Sequence, residues 1–204
     1  MEENDFALLF ASSNPGKHTE IKALLEGLPL KLHSPEEYGR ARDVAETGQT
    51  YLENAKIKAI TAAEQYGVWA LADDTGLEVD ALNGAPGLHS ARLLGSGASD
   101  ADRRARLLEM LQGAPRPWIA RFRCAAVFAG PDGEQAHAEG QCEGEIIPQE
   151  YGGRGFGYDA IFMVAGTGKT MAELSLEEKN RISHRAQAIR SLLPDIKQTL
   201  GIAD

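Results

Sequence analysis

Asp73 and Asp74 stand side by side in LADDTGLEVDALNGAPGLHSAR, residues 71–92. Adjacent carboxylates repel, and without a cation one of them is pushed toward protonation. A divalent ion removes that penalty, and magnesium favours a few carboxylates together with substrate phosphate oxygens. Glu46, in VAETGQTYLENA, lies in a loop ahead of a helix and is positioned to add a third carboxylate. The plainer alternative is a solvated turn in which aspartate caps the chain.

A metal of this kind needs an anion to work on, and SSNPGK (12–17) supplies a candidate cradle. Ser12, Ser13 and Asn14 carry side-chain donors, Pro15 and Gly16 shape the turn, and Lys17 adds positive charge. The segment leads from a strand into a helix, whose free N–H groups point toward any bound phosphate. A well-capped turn without ligand is the competing reading. VAGTGKT (164–170) looks more like a phosphate loop but fails the spacing test. Counting back from Gly168-Lys169-Thr170, the required first glycine is Met163. The next helix signal, Ser175 with Glu178, arrives too late, so the loop reads as a strand-ending turn and Lys169 as dispensable.

Two further segments carry groups suited to a flat heterocycle. GGRGFGYDAIF (152–162) sets Phe156, Gly157 and Tyr158 beside Asp159: rings to stack on and a carboxylate to read an edge. By itself the segment also fits a glycine-bent strand with core aromatics. SLEEKNRISHRAQAIRSLL places Ser183 to cap a fresh helix, with His184 and Arg185 as two donors in its first turn. A charged helix face is the commoner outcome for such a run.

The elements that must position these groups follow from periodicity and caps. FALLFAS (6–12) reads as a buried strand. Asn14 caps a helix with Pro15 at its first position and Ile21, Leu24, Leu25 and Leu28 at helical spacing. LKLHS (30–34) is a second strand. Thr50 with Glu53 opens a helix that Gly67 stops. VWALA (68–72) is a strand that DDTG is expected to break, leaving Asp73 and Asp74 at its C-terminal end. Ser99 with Asp102 opens another helix, ARFRCAAVFAG and EQAHAEGQCEGEI form a hairpin about PDG, AIFMVA is a strand, and the chain ends in helix. The mixture is α/β with a mixed sheet.

Composition limits the partners. The chain has 204 residues and a net charge of −9, which argues against a nucleic acid polymer as ligand. Apolar runs fall short of the ~20 residues that cross a bilayer. The acidic MEENDF start carries no secretory signal, and Cys124 and Cys142 form no CxxC pair, so a reducing cytoplasm is expected.

Together the segments resemble the inosine triphosphate pyrophosphatase family. SSNPGK, ETGQTYLENAKIKA, ADDTGLEVDALNGAPGLHSAR, ARFRC, GGRGFGYDAIF and GKTMAELSLEEKNRISHR occur in the family's order, and six such segments in sequence are highly specific. Thr75 stands where many members have serine, which keeps the hydroxyl. The resemblance implies Mg²⁺-dependent hydrolysis of ITP, dITP and XTP to the monophosphate and pyrophosphate. It implies a single domain over residues 1–204, an elongated mixed sheet flanked by helices with two lobes around a cleft, and a homodimer. Carried over by position, Ser12, Ser13, Asn14, Pro15, Gly16 and Lys17 hold the triphosphate, and Asp74 is general base and metal ligand with Glu46 and Asp73. Lys58, Thr75, Phe156, Gly157, Tyr158, Asp159, Lys179, His184 and Arg185 complete the nucleotide site. A pyrophosphatase for modified pyrimidine or methylated nucleotides is the nearest alternative. A non-catalytic nucleotide sensor is the other, although no carboxylate or lysine has been lost.

Overall fold

A computed structural model describes residues 6–39, 44–95, 97–133 and 135–203. The acidic start before Phe6, and Glu134 at the expected beginning of the second hairpin strand, lie outside the described residues. In chain order the elements are β1 (Phe6–Phe10), α1 (Pro15–Leu24), β2 (Leu30–His33), α2 (Tyr51–Tyr66), β3 (Trp69–Val79) and β4 (Pro86–Gly87). They continue as α3 (Asp100–Met110), β5 (Trp118–Ala129), β6 (Gln135–Ile146), β7 (Phe162–Val164), α4 (Leu176–Ile182) and α5 (His184–Leu200). The strand order is β2-β1-β3-β5-β6-β7, with β4 paired to β3. β1 runs parallel to β2 and β3, whereas β4 is antiparallel to β3 and β7 antiparallel to β6. This is the mixed α/β sheet that the order of elements predicts.

Predicted caps form. Asn14 Oδ1 accepts from Lys17 N at the start of α1, Thr50 from Glu53 N at α2, and Ser99 and Ser175 make reciprocal boxes with Asp102 and Glu178. Gly67 ends α2 with φ of 65°, a left-handed conformation that favours glycine. Two sequence expectations are corrected. The strand beginning at Trp69 does not break at the aspartates but continues through them to Val79. Of AIFMVA only Phe162–Val164 is strand, because Asp159–Ile161 turns as 3-10 helix.

The chain divides into two compact units. The first takes the described residues of Met1–Asp74, Cys124–Gly140 and Arg185–Asp204, and the second those of Thr75–Arg123 and Gln141–His184.

In the first unit the period-two alternation of strands sorts the core onto two faces. Leu8, Phe10, Leu71, Cys124, Ala126 and Phe128 pack with Ile21 of α1, with Leu25 that caps its end, and with Ala188, Ile189, Leu192 and Ile196 of α5. The intervening Leu9, Ala70, Ala72, Ala125, Val127 and Ala129 pack with Ala55, Ala59, Ala62 and Ala63 of α2. The alanine face lets α2 lie close to its strands. Overpacking it with a larger side chain would cost about 1–3 kcal/mol.

In the second unit the core is one-sided. Leu77, Val79, Trp118, Ala120, Phe122, Ile146 and Phe162 pack with Leu107 of α3 and with Leu111 just past its end. The alternate positions Glu78, Arg121 and Glu143 form ion pairs instead, with Arg121 Nε 3.5 Å from Glu143.

Candidate functional site

The continuation of β3 through Asp73 and Asp74 resolves their repulsion by geometry. Alternation directs Asp73, in phase with Leu71, to the α1/α5 face and Asp74, in phase with Ala70 and Ala72, to the α2 face. Each carboxylate there meets its own cation. Lys17 Nζ of α1 is 2.9 Å from Asp73 Oδ1, and Arg185 Nε of α5 is 3.0 Å from Asp73 Oδ2. The Cys124 thiol adds a long contact of 3.8 Å to the same Oδ2. Burial alone favours the neutral acid, but Lys17, Arg185 and Lys58 outweigh it and hold the Asp73 carboxyl well below the usual carboxylate range.

Asp74 faces a different set. Lys58 Nζ lies 2.9 Å from Asp74 Oδ1 and 2.9 Å from Glu46 Oε1, while Asn54 Nδ2 donates to Asp74 Oδ2 at 3.2 Å. Asn54 Oδ1 in turn accepts from Gly48 N at 2.8 Å, which ties the segment next to Glu46 to α2. Burial raises the Asp74 carboxyl above its usual value despite the attraction of Lys58, and Glu46 pushes in the same direction. Burial pulls Lys58 down, yet Asp74, Asp73 and Glu46 together raise it. Two carboxylates therefore converge on one cationic point, and that hard-oxygen donor set fits a divalent ion.

The SSNPGK turn is closed by its own polar groups. Asn14 N donates to Ser12 Oγ at 3.2 Å, and His18 Nε2 lies 2.7 Å from the Ser12 carbonyl oxygen. Ser12 and Lys17 are half-buried, and Ser13 and Pro15 are exposed. The first turn of α1 follows at once, so its N–H groups are directed into this segment.

In the second unit, the buried Asp159 and Lys179 form one knot with the half-buried Phe156. Lys179 Nζ is 2.5 Å from Asp159 Oδ2, Phe156 N donates to the same oxygen at 3.0 Å, and the ammonium sits 4.9 Å from the centre of the Phe156 ring. A Cβ at Gly155 would collide with Asp159 Oδ2, and its φ of +74° is strained for any side chain, so a glycine is needed here. Tyr158 is buried and its hydroxyl donates to the Ser90 carbonyl at 2.8 Å. Burial pushes that phenol up to about 12. Thr75, directly after Asp74 on β3, is half-buried.

His184 and Arg185 were expected as adjacent donors for a carbonyl oxygen. Consecutive helical residues point about 100° apart, and the two side chains have different surroundings. The His184 ring stacks on Phe122 with centroids 4.8 Å apart and planes at 14°. The Arg185 guanidinium turns to carboxylates: it is 1% exposed and pairs with Asp73 and, very closely, with Glu20 of α1.

Sequence reasoning missed Glu20 and Asn54. Both had a signal: Glu20 follows Lys17 by three positions on α1, and Asn54 precedes Lys58 by four on the alanine face of α2.

VAGTGKT behaves as the turn that its spacing predicts. Val164 N donates to the Lys169 carbonyl, and Met163 bridges back to Thr170. Thr170 then caps a 3-10 turn at Met171–Glu173, an element sequence reasoning did not assign. Lys169 is exposed and pairs with Glu178 at 3.1 Å. Lys169→Ala should leave kcat and KM for a nucleoside triphosphate unchanged, and a rise in KM would restore a phosphate role to the loop.

Among the described residues no helix is long and apolar enough to cross a membrane. The family model of the Ham1 family matches residues 8–195. The dITP/XTP pyrophosphatase of Desulforamulus reducens is 45% identical over 187 residues, covering 91% of this chain and 93% of that protein. That of Exiguobacterium sp. is 46% identical over 189 residues, covering 93% and 96%. Among solved structures, a HAM1 protein from Coxiella burnetii matches with a TM-score of 0.85 at 40% identity, covering 95% of this chain and 99% of that one. The Ham1 protein of Staphylococcus aureus matches with a TM-score of 0.82 at 40% identity, again covering 95% and 99%.

Proposed function

This chain belongs to the Ham1 family, and we propose that it is a nucleoside-triphosphate pyrophosphatase that hydrolyses dITP, ITP and XTP to the monophosphate and pyrophosphate. The observation that carries the reading is the pair of clusters on the two faces of β3. One is an Asp74–Lys58–Glu46 set with converging carboxylates, and the other is an Asp73–Lys17–Arg185 set at the base of the SSNPGK turn. The names of the relatives, dITP/XTP pyrophosphatases at 45% and 46% identity, supply the substrate class.

Hydrolysis at the α-phosphorus requires water to attack in line with the leaving pyrophosphate. A new bond forms from the water oxygen to phosphorus, the bond to the bridging oxygen breaks, and one water proton must be accepted. Asp74 is the acceptor in this reading. Its burial keeps it a better base than an exposed carboxylate, and Asn54 and Lys58 fix its orientation. Lys17, Lys58 and the N–H groups at the start of α1 stabilise charge that develops on the departing phosphates. Glu46 and Asp74 would hold Mg²⁺, whereas Asp73, expected as a third ligand, faces the other side of β3 and is taken up by Lys17 and Arg185. Bound there, the ion neutralises phosphate charge and polarises oxygen. Ser12, Ser13 and Asn14 contribute donors to the triphosphate.

Phe156, Gly157, Tyr158, Asp159 and His184 complete the nucleotide site in this reading, with Lys179 as a further cation for the phosphates and Thr75 touching the substrate. Hypoxanthine and xanthine carry a 6-oxo acceptor where adenine carries an amino donor. A site built around donors for that oxygen leaves adenine mismatched, and such a mismatch discriminates strongly. Arg185 serves by holding Asp73 in place. The reading further includes a homodimer working in the cytoplasm.

Pyrophosphate release from dITP, XTP, dATP and dUTP, each with and without Mg²⁺, tests the assignment. Metal-dependent release from dITP and XTP, with dATP and dUTP slower by about 10²-fold or more, is the expected outcome. Preference for dUTP would favour the pyrimidine alternative, and binding without release would favour a sensor.

A further inference from the structure

Helix α3 carries none of the residues assigned above, yet two of its side chains grip the backbone at the centre of FGYD. Asp100 Oδ2 accepts from Gly157 N at 2.6 Å, and Arg104 Nη1 donates to the Gly157 carbonyl at 2.9 Å. Both polar groups of this one glycine are therefore held by the same helix, one turn apart. Gly157 has a φ of +61°, a conformation open to glycine and costly for other residues. The grips are themselves anchored. Arg104 makes a two-pronged pair with Glu150 at 2.8 and 2.9 Å, and Asp100 is held by Arg103 Nη2 at 2.5 Å. Asp100, Arg104 and Leu107 recur on one stripe of α3, and Leu107 and Leu111, which follows its last turn, are fully buried in the core of this unit. The helix is thus seated by its leucines and presents its charged end to the turn.

We infer that Asp100 and Arg104 are positioning residues that set the placement of Phe156 and Tyr158, and through them the affinity for the purine base. The inference rests on the pyrophosphatase reading, in which the FGYD turn meets the base. Neither side chain is assigned contact with phosphates or attacking water. Losing the grip should therefore weaken recognition of the base and spare the phosphate-handling steps.

The test is steady-state kinetics with dITP and Mg²⁺ on wild type and on Asp100→Ala, Asp100→Asn, Arg104→Ala and Arg106→Ala. Competitive inhibition by inorganic tripolyphosphate, which has no base, is measured alongside. Asp100→Ala and Arg104→Ala should raise KM about 10-fold with kcat within about 3-fold, and the tripolyphosphate inhibition constant should not move. Asp100→Asn keeps an acceptor for Gly157 N and should stay near wild type. Arg106→Ala removes only the exposed pair with Glu109 on the same helix, and it too should stay near wild type. Unchanged KM in both alanine variants overturns the inference, as does a tripolyphosphate constant that rises in step with KM. A wild-type protein that leaves dITP intact instead overturns the functional reading beneath it.

Discussion

Asp74→Asn should lower turnover of dITP by about 10²–10⁴-fold, the range in which a positioned base contributes, with the folded state retained. Asparagine keeps the size of the side chain and one oxygen for Lys58 Nζ, but it has no basic oxygen to take a proton. The site tolerates the change because the exchange keeps the side chain's shape and its hydrogen-bond partners Lys58 and Asn54 remain. Losing one acceptor toward Asn54 Nδ2 costs about 1–3 kcal/mol, which a domain of this size survives. Single-turnover rates together with a thermal unfolding curve separate the two effects. Near-normal turnover in a folded Asp74→Asn protein would remove the base assignment and leave Glu46 as the remaining carboxylate on that face.

The largest effect on stability should come from Arg185. Arg185→Ala removes the guanidinium that bridges the buried carboxylates of Asp73 and Glu20, and breaking a buried charge network in this way costs about 3–5 kcal/mol. Arg185→Lys should fall between, because a point-charge ammonium cannot reproduce the fork that reaches Asp73 through Nε and Glu20 through Nη1. Arg181→Ala provides the contrast. That arginine lies one turn away in sequence but its side chain is 65% exposed and pairs with an exposed Glu177, so its loss should change stability by about 0–1 kcal/mol. Urea unfolding of the three variants is the measurement. Equal losses for Arg185→Ala and Arg181→Ala would mean that the buried cluster adds nothing beyond a surface pair.

Local signals were legible because their physics is local. Ser99, Ser175 and Thr50 cap their helices through hydrogen bonds that span three residues, and any sequence window shows them. The failure of VAGTGKT as a phosphate loop has the same origin. A phosphate loop needs its first glycine and its helix at fixed offsets, and Met163 and the late Ser175 already deny both. Glu20 and Asn54 were legible only in part, since helical spacing marks them as neighbours of Lys17 and Lys58 without saying what those lysines face.

By itself the sequence determined the caps, the core periodicities, the mixed α/β class and, through six ordered segments, the family. It also determined that Asp73 and Asp74 need compensation, since adjacent carboxylates repel wherever they stand. Only the tertiary structure decided how that need is met. The strand runs on through both aspartates, alternation sends them to opposite faces, and cations from α1, α5 and α2 arrive from up to 112 positions away in the chain. The same holds for Arg185, which adjacency in sequence grouped with His184 but which packing turned toward Asp73. Pairings of this kind depend on which helix covers which face of the sheet, and that is set by burial of the whole core rather than by any short stretch of chain.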